Sequence, residues 1–133
     1  VIRSVAIATL ALLLAAPAAE AQGRRSRSLS ANEALDRCDK QGGPYPEMLA
    51  CVAVILERED ARLNRAYKAA MSRLKPAQQA SLRTAQRQWI KDRDAECQAE
   101  YEQGGRQAGI YATMCEIRAT EGRADALERR WRR

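Results

Sequence analysis

The chain has 133 residues, enough for one domain at most, with a formal net charge of +6 and no histidine. The missing imidazole removes the commonest general base and every Ser-His or Cys-His nucleophile pair. The first element in chain order is a targeting segment: one arginine, an apolar run from Val5 to Ala16, then Ala19-Glu20-Ala21. This has the form of a secretory signal peptide cleaved near Ala21, so a periplasmic or secreted protein is expected. The run is 12 residues long, too short to span a bilayer, and no other membrane-spanning stretch follows. Residues 22–29, QGRRSRSL, are basic and without periodicity, and read as a disordered lead. The remainder, 30–133, is expected to be a single helical domain.

That domain opens with Ser30 and, three positions later, Glu33, a capping box that starts a short helix. QGGPYP (41–46) ends it, and Pro46 suits the first position of the next helix. From Pro46 to about Leu74 there is no glycine or proline. Met48, Cys51, Val52, Ile55, Leu63, Ala66, Tyr67, Ala70 and Leu74 recur mostly three or four apart, as one long amphipathic helix requires. Pro76 marks a tight turn and the next helix, whose inner side carries Leu82, Ala85, Trp89, Ile90, Arg93, Cys97 and Tyr101. EQGGRQAG (102–109) breaks it. A last helix runs from about Ile110 with Met114, Ile117, Ala124, Leu127 and Trp131 inward. No alternating strand pattern is present. The expected class is all-α: a long antiparallel hairpin with a third helix packed back on it.

Cys38, Cys51, Cys97 and Cys115 form an even set in an exported chain, so disulfides are expected. Four thiolates alone can hold zinc, but an oxidising compartment and the lack of any C-x-x-C pair argue against a metal site, and no cofactor is expected. With the hairpin turn near residue 75, equal rise per residue places Cys51 and Cys97 at one end. The turn near 105 returns Cys115 there, and Cys38 precedes Cys51 by one short loop. All four thus cluster at one pole, which leaves three connectivities open; Cys38–Cys51, tying the short helix down, and Cys97–Cys115, closing the Gly-Gly loop, are favoured.

Charge sorts by pole. The cysteine end (28–56 and 92–120) has ten acids and five bases, whereas the hairpin-tip end (57–91 and 121–133) has six acids and fourteen bases. The chain is dipolar rather than uniformly basic. The arginines at 129, 130, 132 and 133 suit a helix C-terminus, and an anionic envelope polymer is a second partner class for that end. Aromatic or glycine-rich base-contacting features are missing, so no nucleic acid is expected.

Glu57, Glu59 and Asp60 resemble paired catalytic carboxylates, but catalysis needs two carboxylates across a cleft with split environments. They read as solvated charges or interhelical ion pairs. Arg93 shares the Trp89 stripe and needs an acid on a facing helix, with Glu57 and Asp60 in register and Arg123 able to join. The Gly104-Gly105-Arg106 loop combines backbone freedom with an exposed charge. It follows no strand, so it is no nucleotide loop. No catalytic set emerges, and the chain is not expected to be an enzyme.

PEMLAC, DARLNRAYKAAMSRL, LRTAQRQWIKDRDAEC, the Gly-Gly pair, and Cys115 followed by TEGR and Leu127 together resemble the lysozyme inhibitor LprI N-terminal-domain family. The resemblance covers about 35–127. It rests on Asp60, Leu63-Asn64, Tyr67, Leu74, Gln86, Trp89, Arg93-Asp94, Cys97, Gly105, Cys115, Thr120 and Arg123 in that order. It implies a small exported helical domain with disulfides, in which Asp60, Trp89, Arg93, Asp94, Thr120 and Arg123 form a structural network. It also implies a binding protein, with a lysozyme-like muramidase as partner. The chain departs from the family pattern at Asp92, where an aromatic residue is usual, and at Arg106, where Ser or Thr is common; it also lacks a lipoprotein cysteine. Under this reading Gly104, Gly105 and Arg106 are the candidate partner-binding loop. The alternative is an envelope-associated structural or anionic-polymer-binding protein acting through its basic pole.

Overall fold

The computed structural model describes residues 29–131. The expected signal peptide (1–21), the lead up to residue 28, the last two arginines and the side chain of Trp131 lie outside the described residues. Among the described residues every element is helical: α1 (Ala31–Gln41), α2 (Tyr45–Met71), α3 (Pro76–Gln103), a 3₁₀ turn (Gly105–Gln107) and α4 (Ala108–Trp131).

The ends follow from local chemistry. Ser30 Oγ accepts the Glu33 N–H at 3.2 Å, while the Ser30 N–H donates to the Glu33 carboxylate at 2.8 Å. Both orphan donors at the start of α1 are thereby satisfied. α2 starts one residue earlier than expected, with Pro44 as N-cap, so Pro46 occupies the second helical position. Proline is tolerated there because first-turn N–H groups have no intrahelical acceptor. Pro76 opens α3 as the sequence indicates. The expected break at 102–109 contracts to Gly104 and the 3₁₀ turn.

α4 is the centre of the bundle. It packs along both α2 and α3, α1 lies across α2 and α4, and the α2 and α3 backbones come close at few points. One apolar cluster joins α1, α2 and α4 near the disulfides, around Leu35, Val52, Ile55, Ile110 and Ile117. A second, nearer the hairpin tip, holds Leu63, Ala66, Ala70, Ala124 and Leu127, with Leu82 and Trp89 against it. Between the two lie the buried polar residues Glu59 and Thr120. Each fully buried Val, Ile or Leu is worth about 1.5–3 kcal/mol, and the polar layer interrupts that gain once.

The inner stripe expected for α3 is only partly covered. Cys97 is its one buried residue; Leu82, Trp89 and Arg93 are half-buried, and Ala85, Ile90 and Tyr101 are exposed. The cause is topological: α3 is covered by α4 and scarcely by α2, so a narrower strip of its surface is removed from water. Two disulfides, Cys38–Cys51 and Cys97–Cys115, close at one pole with Cα–Cα distances of 6.0 and 5.5 Å. They are the favoured pair of bridges, at the one pole where the register gathers all four cysteines. No helix among the described residues is long and apolar enough to cross a membrane.

Candidate docking face at the disulfide pole

The two disulfides bring both glycine-bearing turns to the same end. Cys38–Cys51 ties α1 to the second turn of α2, and Cys97–Cys115 ties the end of α3 to α4. Beside the Cys38 staple lies a groove of about 630 Å³. Asp36 and Asp39 of α1 line it, as do Tyr45 and Met48 of α2, Arg106 of the 3₁₀ turn, and Tyr111, Met114 and Arg118 of α4. Tyr45, Tyr101 and Tyr111 are 41%, 53% and 44% exposed, so three of the chain's four tyrosines face solvent at this pole. Gly109 lets Tyr45 lie close: a Cβ at that position would come within 2.5 Å of the Tyr45 hydroxyl.

The glycines of the Gly104-Gly105-Arg106 loop do two different jobs. Gly105 has φ +57°, the left-handed region in which a side chain is strained, yet an added Cβ there would meet nothing within 4 Å. Gly104 has ordinary right-handed φ, but a Cβ would sit 2.5 Å from Ala108 Cα and 3.0 Å from the Glu100 carbonyl oxygen. One residue supplies the turn and the other the close approach of α3 to α4. Arg106, exposed, projects from the turn they make.

The six network residues also come together, one layer below. Arg93 lies 5.2 Å from the centre of the Trp89 ring and Arg123 5.7 Å from it. Arg93 donates to Asp94 at 2.7 Å, reaches Asp60 on α2 at 3.7 Å, and contacts the Thr120 hydroxyl at 3.4 Å. Of the two acids in register, Asp60 is the one that meets it; Glu57 is exposed. Arg123 donates to Gln86 at 2.9 Å. Burial pushes the neighbouring Glu116 carboxyl above its ordinary value, opposed by Arg93 and reinforced by Asp94 and Asp60. These groups hold α3 to the rest of the bundle, and Arg123 also borders a groove between α3 and α4. Among the described residues no cluster of metal-ligating side chains occurs.

A family model for the lysozyme inhibitor LprI matches residues 38–127. The chain belongs to the LprI family. Comparison with curated proteins and with solved structures finds no match. The span matched in this LprI-family chain begins at the first stapled cysteine and ends at Leu127, the last buried residue of the second core cluster. It therefore contains both disulfides, the Trp89 network and the Gly-Gly-Arg loop. The matched description, lysozyme inhibitor, is that of a protein acting on an enzyme rather than as one.

One set of charges in this LprI-family domain goes further than the sequence reading. Glu59 is 3% exposed and pairs with Arg58 at 2.7 Å and with Arg62 at 3.5 Å. Arg62 in turn bonds Glu128 at 2.8 Å and Asp125, tying α2 to α4 and holding its guanidinium pKa above the ordinary value. The signal was present. Glu59 stands four residues after Ile55 and four before Leu63, inside the apolar stripe. The exposed tyrosines gave no such signal, because tyrosine spacing on an inner helix face does not say whether a neighbour covers it.

Proposed function

We propose that this chain is an exported envelope protein that binds a lysozyme-type muramidase and inhibits it by occluding its cleft with the disulfide pole. The observation that carries this is the tyrosine-rimmed groove with Arg106 at its edge, on a chain of the LprI family. Tyrosine and arginine are the residue types that dominate binding hot spots, since they bury large areas at little entropic cost. The acid-rich half of the sequence also lies at this end, and many lysozymes are basic; complementary charge speeds encounter and fixes orientation.

A muramidase cleft carries two carboxylates. Arg106, presented from a short turn between stapled helices, has the charge to pair with one of them through charge-assisted hydrogen bonds. Tyr45 and Tyr111 would seat against the cleft walls while the groove receives a projecting side chain.

The direct test is cell-wall lysis by several lysozyme types, with and without excess mature protein. Dose-dependent loss of lysis is expected, and lysis unchanged with every type would sink the proposal. Arg106→Ala should weaken inhibition about tenfold or more. Full inhibition by that variant would remove the loop from the mechanism and leave occlusion by the tyrosine face.

A further inference from the structure

At the opposite pole a second groove of about 330 Å³ runs between α3 and α4. Its lining is mainly apolar, with Leu74, Leu82 and Leu127, and it also carries Gln78, Ser81, Arg123 and Arg130. Arg123 differs from the other half-buried arginines. Arg62 meets three carboxylates and Arg93 two, whereas no carboxylate among the described residues pairs with Arg123. Its Nε donates to Gln86 and its guanidinium lies against Trp89, so a neutral amide and a ring hold the side chain in place, and no carboxylate neutralises it. Burial accordingly pulls its pKa down with no acid to restore it. A half-buried charge normally has a partner, because desolvation otherwise goes uncompensated.

We propose that this groove binds a single-chain anionic amphiphile, its acyl chain against the leucines and its anionic head on Arg123 and Arg130. The mainly apolar lining distinguishes this ligand from a soluble anionic polymer, which would gain nothing from leucine side chains. The volume, near the lower end of the range of roughly 300–1,000 Å³ typical of small-molecule sites, fits one chain rather than two. Guanidinium groups match carboxylate and phosphate heads with paired N–H donors. The hairpin-tip half of the sequence has fourteen bases against six acids, so anions concentrate there. The stack on Trp89 holds Arg123 ready, which lowers the ordering cost of binding.

Titration calorimetry of the disulfide-intact mature protein tests this with sodium dodecanoate as probe and dodecyl maltoside as the uncharged control, both below micelle-forming concentration. Saturable binding of dodecanoate and at least about tenfold weaker binding of the neutral probe are expected. Arg123→Gln should weaken dodecanoate binding about tenfold. Ala126→Trp, at an exposed groove position, should fill the groove and weaken binding by a similar factor. Thermal melts identify the variants that fold, and Ala126→Trp carries the test if Arg123→Gln does not. The proposal is overturned by no saturable binding below about 1 mM, by equal affinity for the neutral probe, by full affinity in folded Ala126→Trp, or by binding to micelles alone.

Discussion

Arg93 lies 5.2 Å from the centre of the Trp89 ring, one turn further along the same helix, and its guanidinium bonds Asp94 at 2.7 Å. With only Cys97 buried on α3, this stacked pair takes the place of a hydrophobic stripe in seating the helix. Trp89→Ala should cost about 2–3 kcal/mol, less than for a fully buried tryptophan because the ring is half-exposed. Arg93→Lys keeps the charge but loses the planar fork and the stack, and should cost about 1 kcal/mol. Urea unfolding of the mature protein measures both. A Trp89→Ala loss below about 0.5 kcal/mol would place the seating of α3 elsewhere.

Glu59 gives an ordering rather than a single value. Removing its carboxylate as Glu59→Ala leaves a cavity and takes a partner from two arginines. Arg58 and Arg62 are 35% and 28% exposed, so water screens part of the loss, and about 2–4 kcal/mol is expected. Glu59→Leu instead completes the apolar run from Val52 to Leu63, while Arg62 keeps Asp125 and Glu128. It should fall within about 1 kcal/mol of the parent. Denaturant midpoints that rank Leu below Ala would contradict this account.

These two residues also mark what was legible in the sequence. Helix spacing locates α2 and α4 because both are packed along much of their length. The cysteine register works because it depends only on rise per residue. For α3 the same spacing overstated burial: Tyr101 and Ile90 sit on its apolar side, yet that side is wider than α4 can cover. Which helix becomes central is a three-dimensional property of the turns, and periodicity does not encode it. For the proposed docking face, composition marked the turn at Gly104-Gly105 but no partner contact. The groove beside it needs α1, the start of α2 and α4 placed together, which no local signal supplies.

Glu116 makes stability depend on pH. Burial raises its folded-state pKa, so the folded state favours the neutral acid. Its contribution is fully present below the ordinary glutamate value of about 4.5 and is lost as pH rises through the raised folded value. Glu116→Gln should therefore melt at a higher temperature than the parent at neutral pH, with the gap closing as pH falls toward that ordinary value. Melting curves across this window check the sign. A lower melting temperature for the variant at neutral pH would mean that attraction to Arg93 outweighs burial.

The two disulfides should act on different parts of the bundle. Replacing Cys97 and Cys115 with serine removes a loop constraint worth about 3 kcal/mol and the one buried residue of α3. Amide exchange should rise first along α3, with α2 and α4 still protected. Replacing Cys38 and Cys51 should loosen α1 less selectively. α1 keeps Ala31, Ala34 and Leu35 in the core, and the Ala31 N–H still donates to Glu121 at 2.9 Å. A uniform rise in exchange across all helices in the first variant would show that α3 is not a separate unit.

The Gly104-Gly105 pair separates strain from steric exclusion, and with it stability from binding. Gly105→Ala meets open space and incurs mainly the left-handed backbone penalty, about 1–2 kcal/mol. Arg106 keeps its place, so the inhibition proposed for the folded protein should persist. Gly104→Ala drives its Cβ into the Ala108 and Glu100 backbone, where no rotamer change can yield. The α3–α4 junction must then open, moving Arg106 and the Tyr111 wall of the groove. Inhibition should fall further in this variant than in Gly105→Ala when the two are compared at equal folded fraction, set by circular dichroism. If both variants inhibit alike, the position of the loop does not govern docking, and the tyrosine face alone must account for it.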